Sequence, residues 1–130
     1  MKFLQPFQSQ ILSIVRIATA YAFLLHGTAK FFEFPVSMTD GNGSVPLFSL
    51  FGAAGILEIV GGILLILGLF TRPTAFILSG QMAVAYFMMH FSLFPFTNGG
   101  ESAMLFSFIF LYLAAAGGGA WSLDNVLAKK

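Results

Sequence analysis

Six ionisable side chains stand inside, or at the edge of, long apolar stretches: Arg16, His26, Lys30, Glu58, His90 and Glu101. A charge at the centre of a bilayer costs roughly 3 kcal/mol or more, so such residues turn toward one another, a cavity or an interface. Helical spacing of about 100° per residue puts Arg16, His26 and Lys30 within about 80° of one another, on a stripe shared with Thr19, Phe23 and Gly27. This stripe is expected to point inward. The plainer alternative is that Arg16 and Lys30 snorkel to opposite interfaces, with His26 tolerated between them. Glu58 lies too deep in its stretch to reach water. Its neighbours Ala54, Gly55, Gly61 and Gly62 allow another helix to come close. Counting the helical rise from each side brings Arg16 and Glu58 to similar depth, which predicts an Arg16–Glu58 ion pair or a hydrogen-bonded network that includes Gln81. Such a group serves equally well as a lock between helices or as a protonatable working carboxylate.

A second set collects toward the other end of the same stretches: His26, Lys30, Tyr86, His90 and Glu101. Tyr86 and His90 are one helical turn apart and share a face. Imidazole and phenol can hydrogen-bond the oxygens of a quinone head group while Phe rings cover its faces, so these five residues are the candidate ligand-binding set. His26 and His90 on different helices would also be a minimal axial pair for a haem, but no further motif supports one. The plain reading is a polar lining that only bonds helix to helix. No metal-binding motif, phosphate-binding glycine loop or nucleophile elbow is present.

The elements that must position these residues are four apolar stretches of 21 to 24 residues, at about 11–32, 47–70, 73–94 and 101–121. About 20 helical residues cross a hydrocarbon core of about 30 Å, so the sequence predicts an all-α integral membrane protein, a four-transmembrane-helix bundle forming one domain over 1–130. Pro35 and the run Asp40-Gly41-Asn42-Gly43-Ser44 break the chain after the first stretch. Thr71-Arg72-Pro73 makes a very short second connection, and Pro95 to Gly100 the third. Gly117-Gly118-Gly119 should weaken the fourth helix near its end. The N-terminal stretch is not read as a cleaved signal peptide, because Pro6, Gln8, Gln10 and Arg16 interrupt its apolar core. Lys2, Arg72, Lys129 and Lys130 fall on one side against Lys30 on the other, which predicts both termini in the cytoplasm.

Composition agrees with lipid as the solvent. Of 130 residues 58% are hydrophobic and 8% charged, and the 17 Phe outnumber the 11 charged side chains. Soluble domains carry about 25% charged residues. Mean hydropathy is +0.90. A net charge of +1 without a basic cluster offers no footprint for nucleic acid. The absence of Cys excludes disulfides, Cys-ligated metals and a dithiol relay carried by this chain.

In order along the chain come Arg16, then His26-Gly27-Thr28-Ala29-Lys30, then Gly55-Ile56-Leu57-Glu58-Ile59-Val60-Gly61-Gly62, and Gly68-Leu69-Phe70-Thr71-Arg72. Gln81, Ala85 and His90 follow, then Asn98-Gly99-Gly100-Glu101 and a closing Trp121-Ser122-Leu123-Asp124. In these elements the chain resembles the DoxX family of small bacterial and archaeal membrane proteins, from about Arg16 to Asp124. The resemblance implies a four-helix bundle in the cytoplasmic membrane. It also implies a link to quinone chemistry: the family is named for a small subunit associated with a terminal quinol oxidase, and other members are tied to thiosulfate–quinone oxidoreduction or accompany redox-defence enzymes. Thiol exchange does not carry over, because the chain has no Cys. The expected role is an accessory subunit of a quinone-linked redox system, with lipid and redox-enzyme subunits as partners. Small-molecule permeation and a purely structural assembly role are the alternatives.

Overall fold

The computed structural model describes residues 1–32, 34, 41, 43, 44, 46, 48–89 and 101–128, without the side chains of Phe51 and Met89. His90, the residues around Pro35 and Asp40, the Pro95–Gly100 connection and Lys129–Lys130 lie outside the described residues. A 3-10 turn at Lys2–Phe7 leads into α1 (Gln8–Phe32), followed by α2 (Leu50–Leu67), α3 (Thr71–Met89), α4 (Glu101–Ala116) and a short α5 (Leu123–Ala128). No strand occurs among the described residues.

Helix ends are set by local chemistry. Ser49, extended at φ −121°, caps α2 by accepting the Gly52 N–H at 3.0 Å. At the far end Gly68 takes a left-handed φ of 71° and donates its N–H to the carbonyls of Leu64 and Leu65, and Leu69 adds a bond to Leu64 at 2.9 Å. A side chain resists that conformation, so glycine stops α2 at Leu67, three residues before the expected end at 70. Gly117, at φ 87°, ends α4 five residues before the expected 121. α3 begins at Thr71, which places Pro73 in the first turn, where its missing N–H removes no helical bond.

Among the described residues one helical run, Lys2–Phe32, is long and apolar enough to cross a membrane by length and composition. Gly52–Leu67 and Glu101–Ala116 are shorter apolar helices. α1 ends at the expected Phe32 but begins earlier than expected, at Gln8, whereas α2 and α4 are shorter than expected: glycine closes both early, and α2 also starts late, at the Ser49 cap.

α1 packs along α2, and α3 along α4. The α1–α2 seam is close because a Cβ added to Gly27 would meet Ile59 Cγ1 at 2.7 Å, and one added to Gly62 would meet Leu24 Cβ at 3.0 Å. α3 and α4 are joined by reciprocal bonds: Ser79 Oγ donates to the Ser107 carbonyl at 2.8 Å and Ser107 Oγ to the Ser79 carbonyl at 3.0 Å. Gly61 seats Leu78, joining α2 to α3. The core holds Ala20, Phe23, Leu65, Ala75, Leu78, Met82, Phe110 and Leu113. Phe23 meets Phe110 edge-on at 4.9 Å across the thin α1–α4 seam. Arg16, Lys30 and Glu58 are buried while Phe76, Phe87 and Phe108 are exposed, the reverse of a water-soluble arrangement.

Candidate functional site

Lys30 and Glu58 form a buried ion pair across the α1–α2 seam, with Nζ 2.6 Å from Oε1 and 3.0 Å from Oε2. The geometry starts from glycine. A Cβ on Gly55 would fall 2.6 Å from the Phe31 ring and 3.3 Å from Lys30 Cδ, so its absence opens the track along which the lysine stem reaches Glu58. Side chains on a helix lean toward its N-terminus, and this directs Lys30 inward from the last turn of α1. In low dielectric such a pair fixes one helix against the other, and loss of either partner leaves the survivor as an uncompensated buried charge.

The expected Arg16–Glu58 pair is not formed. Close contact of Gly27 with Glu58 Cβ (3.1 Å) and of Gly62 with Leu24 sets the register of α1 on α2. Gly27 therefore lies opposite Glu58, and Arg16 lies beside the end of α2. Counting rises from matched stretch boundaries missed that offset, because the two helices differ in length. Arg16 instead donates to backbone carbonyls: to Gly118, to Trp121 at 2.8 Å and to Ile66 at 3.4 Å. It ties α1 to the end of α2 and to the chain leaving α4. Its Nε is buried with no partner among the described residues.

Around Arg16 lies a polar mesh at what we term the terminal pole, where α1 and α3 begin and α2 and α4 end. Ser13 Oγ donates to the Gly118 carbonyl at 3.1 Å and accepts the Trp121 N–H at 2.9 Å. Asp124 accepts the N–H groups of Phe70 and Thr71, both at 2.8 Å, and so caps α3. Arg72, near the start of α3, donates to the Ala115 carbonyl at the end of α4. α3 and the chain after α4 thus cap each other. Partial burial pushes the Asp124 carboxyl up, but hydrogen bonds from Thr71 and Phe70, with the Arg16 charge beyond, outweigh it and hold the group below the usual carboxylate range. In the sequence Arg72 stands in a short connection on the expected cytoplasmic side, and nothing near Asp124 names its partner. The usable signal was an Asp just past a Gly-rich helix end, an N-capping residue type whose target helix is remote in sequence.

Gln81 joins α3 to α2, but at the Ala54 carbonyl (3.4 Å), one turn before Glu58; its Oε1 is buried with no partner among the described residues. His26 is exposed on the flank of α1 toward α4, edge-on to Phe106 at 5.5 Å, and no hydrogen bond joins it to a described residue. Tyr86 is half-buried against Phe87, and Glu101 is exposed in the first turn of α4, where its charge suits the helix dipole. Of the five candidate ligand residues, Lys30 is thus turned away to Glu58, and His90 lies outside the described residues. Two clefts among the described residues, of about 530 and 580 Å³, open at the terminal pole, one lined by Thr71, Arg72, Gly118 and Asn125, the other by Leu4, Gln8, Leu12 and Tyr112. Among the described residues no three His, Cys, Asp or Glu come together to hold a metal ion.

The DoxX family model matches residues 11–91. An uncharacterised protein of Haemophilus influenzae is 54% identical over 134 residues, covering 98% of both chains. The inner membrane protein YqjF of Escherichia coli is 35% identical over 80 residues, covering 58% of this chain and 59% of its own. No solved structure matches. The family match takes in Arg16, His26, Lys30, Glu58 and Gln81 along with the glycines that set the α1–α2 register, and the chain belongs to the DoxX family of membrane proteins.

Proposed function

We propose that the chain is a four-span inner-membrane protein that acts as an accessory subunit of a quinone-linked redox system, with His26 meeting the quinone head group. The observation that carries this reading is a contrast. Arg16, Lys30 and Glu58 are held by partners inside the protein, whereas the imidazole of His26 is exposed beside Phe106 without a hydrogen-bond partner among the described residues. An imidazole N–H can donate to a quinone carbonyl, and a neighbouring Phe can pack on the ring. A quinone dissolved in the bilayer reaches an outward-facing residue sideways, with no aqueous entrance. One donor and one ring hold only one end of the head group, so a partner subunit supplies the rest; hence an accessory role.

At about 1.5 Å per residue α2, α3 and α4 measure about 27, 28 and 24 Å, close to a hydrocarbon core of about 30 Å. YqjF supports the inner membrane as the location. Lys2, Arg72, Lys129 and Lys130 support a cytoplasmic terminal pole, and pairing with Glu58 removes the counter-example Lys30 from the tally.

Equilibrium dialysis of the detergent-purified chain against a short-chain quinone tests the site. Saturable binding, lost in His26→Ala and kept in Glu101→Ala, is the expected result; binding indifferent to His26 refutes it. The Lys30–Glu58 pair favours a second reading, a structural assembly partner. In that case Glu58→Gln weakens capture of partner subunits and leaves quinone binding alone. Solute flux into liposomes carrying only this chain would favour permeation over both.

A further inference from the structure

α5 is amphipathic in the inverted sense. Its polar residues face the protein: Asp124 caps α3, and Asn125 Nδ2 donates to the Ala120 carbonyl at 2.9 Å. The exposed side carries Leu123, Val126 (50% exposed) and Leu127 (53%), with Trp121 just before the helix at 57%. At about 100° per residue Leu123, Val126 and Leu127 fall on one face about 100° wide. A helix at the surface of a soluble domain does the opposite.

The segment is also fixed in height. The Trp121 N–H binds Ser13 Oγ, its carbonyl accepts from Arg16, and the Asp124 N–H binds the Gly68 carbonyl at 2.9 Å. These partners mark the level where α2 and α4 end. Leu67 and Phe70, at the end of α2, are exposed at the same level, and Phe70 N–H is held by Asp124 of α5. Trp at such a level is the residue of membrane–water interfaces, with its ring in the acyl boundary and its N–H toward the head groups.

We propose that Trp121, Leu123, Val126 and Leu127 form an interfacial anchor, docked into the head-group and acyl boundary of the leaflet at the terminal pole. The anchor rests on the spanning arrangement proposed above and is independent of the quinone. It lays α5 along the membrane plane, with Asp124 held over the start of α3.

Trp121 is the one Trp in the sequence, so the intact chain reports on itself. In phosphatidylcholine/phosphatidylglycerol vesicles, its fluorescence should be blue-shifted from indole in water and quenched about twofold more by a nitroxide near the lipid head groups than by one at the acyl end. Val126→Asp/Leu127→Asp should open it to aqueous iodide. A companion Trp121→Phe/Phe108→Trp chain places the probe on the exposed middle of α4, where the deep nitroxide should quench best. Iodide quenching of Trp121 with deep quenching of the companion overturns the anchor alone, whereas iodide quenching of both overturns the spanning arrangement beneath it. A blue-shifted Trp121 that neither iodide nor any lipid nitroxide quenches means protein covers the face, which also overturns the anchor.

Discussion

The α1–α2 seam and the terminal pole solve the same problem in different ways. In the seam one buried amine meets one buried carboxylate, and the contact depends on Gly55 leaving the track open. At the pole Arg16, Ser13 and Asp124 are each matched to two or more backbone groups, and Arg72 to the Ala115 carbonyl. The pair is therefore sensitive to the loss of either member, because the survivor is a charge in low dielectric. The mesh loses neutral dipoles one at a time, and each lost bond costs less.

This contrast is best broken at Glu58. Glu58→Ala should destabilise the detergent-solubilised protein by about 3–5 kcal/mol, read from denaturant unfolding, because Lys30 is left buried and unpaired. The double change Lys30→Met/Glu58→Leu should recover most of that loss; a double variant as unstable as the single one would show the pair is not the cause. Arg16→Ala should cost about 2–3 kcal/mol, since only carbonyls are orphaned, and Arg16→Lys should restore only part, lacking the forked donors. Gly55→Ala should cost about 1–3 kcal/mol by pushing on Phe31 and the Lys30 stem. Gly80→Ala, with nothing within 4 Å of the added carbon, should gain about 0.5–1 kcal/mol by thermal melting.

The smallest effect belongs to pH. The folded-state pKa of Asp124 lies below its ordinary value, so its contribution is fully present above that value and is lost as pH falls through the lower, folded one. Wild-type protein should lose stability in this acid range by a small margin that Asp124→Asn abolishes. Equal acid sensitivity in both would remove Asp124 from the account.

The same two regions show what a linear reading reaches. Arg16, Lys30 and Glu58 were legible as residues that cannot face lipid, since burial cost depends on residue type and depth alone. Their pairing was not, because it depends on how far α1 slides along α2. That offset is decided by Gly27, Gly55 and Gly62 fitting against particular neighbours. The first helix was legible because a long apolar run is its own evidence. The closing positions of α2 and α4 were blurred, since Gly68 and Gly117 had to be recognised as left-handed caps rather than as small residues within a span. The polar mesh was hidden for a related reason. Capping of α3 by Asp124 joins residues more than fifty positions apart, and no local pattern announces it.

That long-range cap also sets an order of assembly. Lys30 and Glu58 are both available once the first hairpin has been synthesised, and the seam can close while the rest of the chain is still on the ribosome. The mesh cannot. Arg16 waits for Gly118 and Trp121, and the start of α3 waits for Asp124, all near the end of translation. A nascent chain halted after α4 therefore leaves Arg16 with the Ile66 carbonyl alone and the start of α3 without its Asp124 cap.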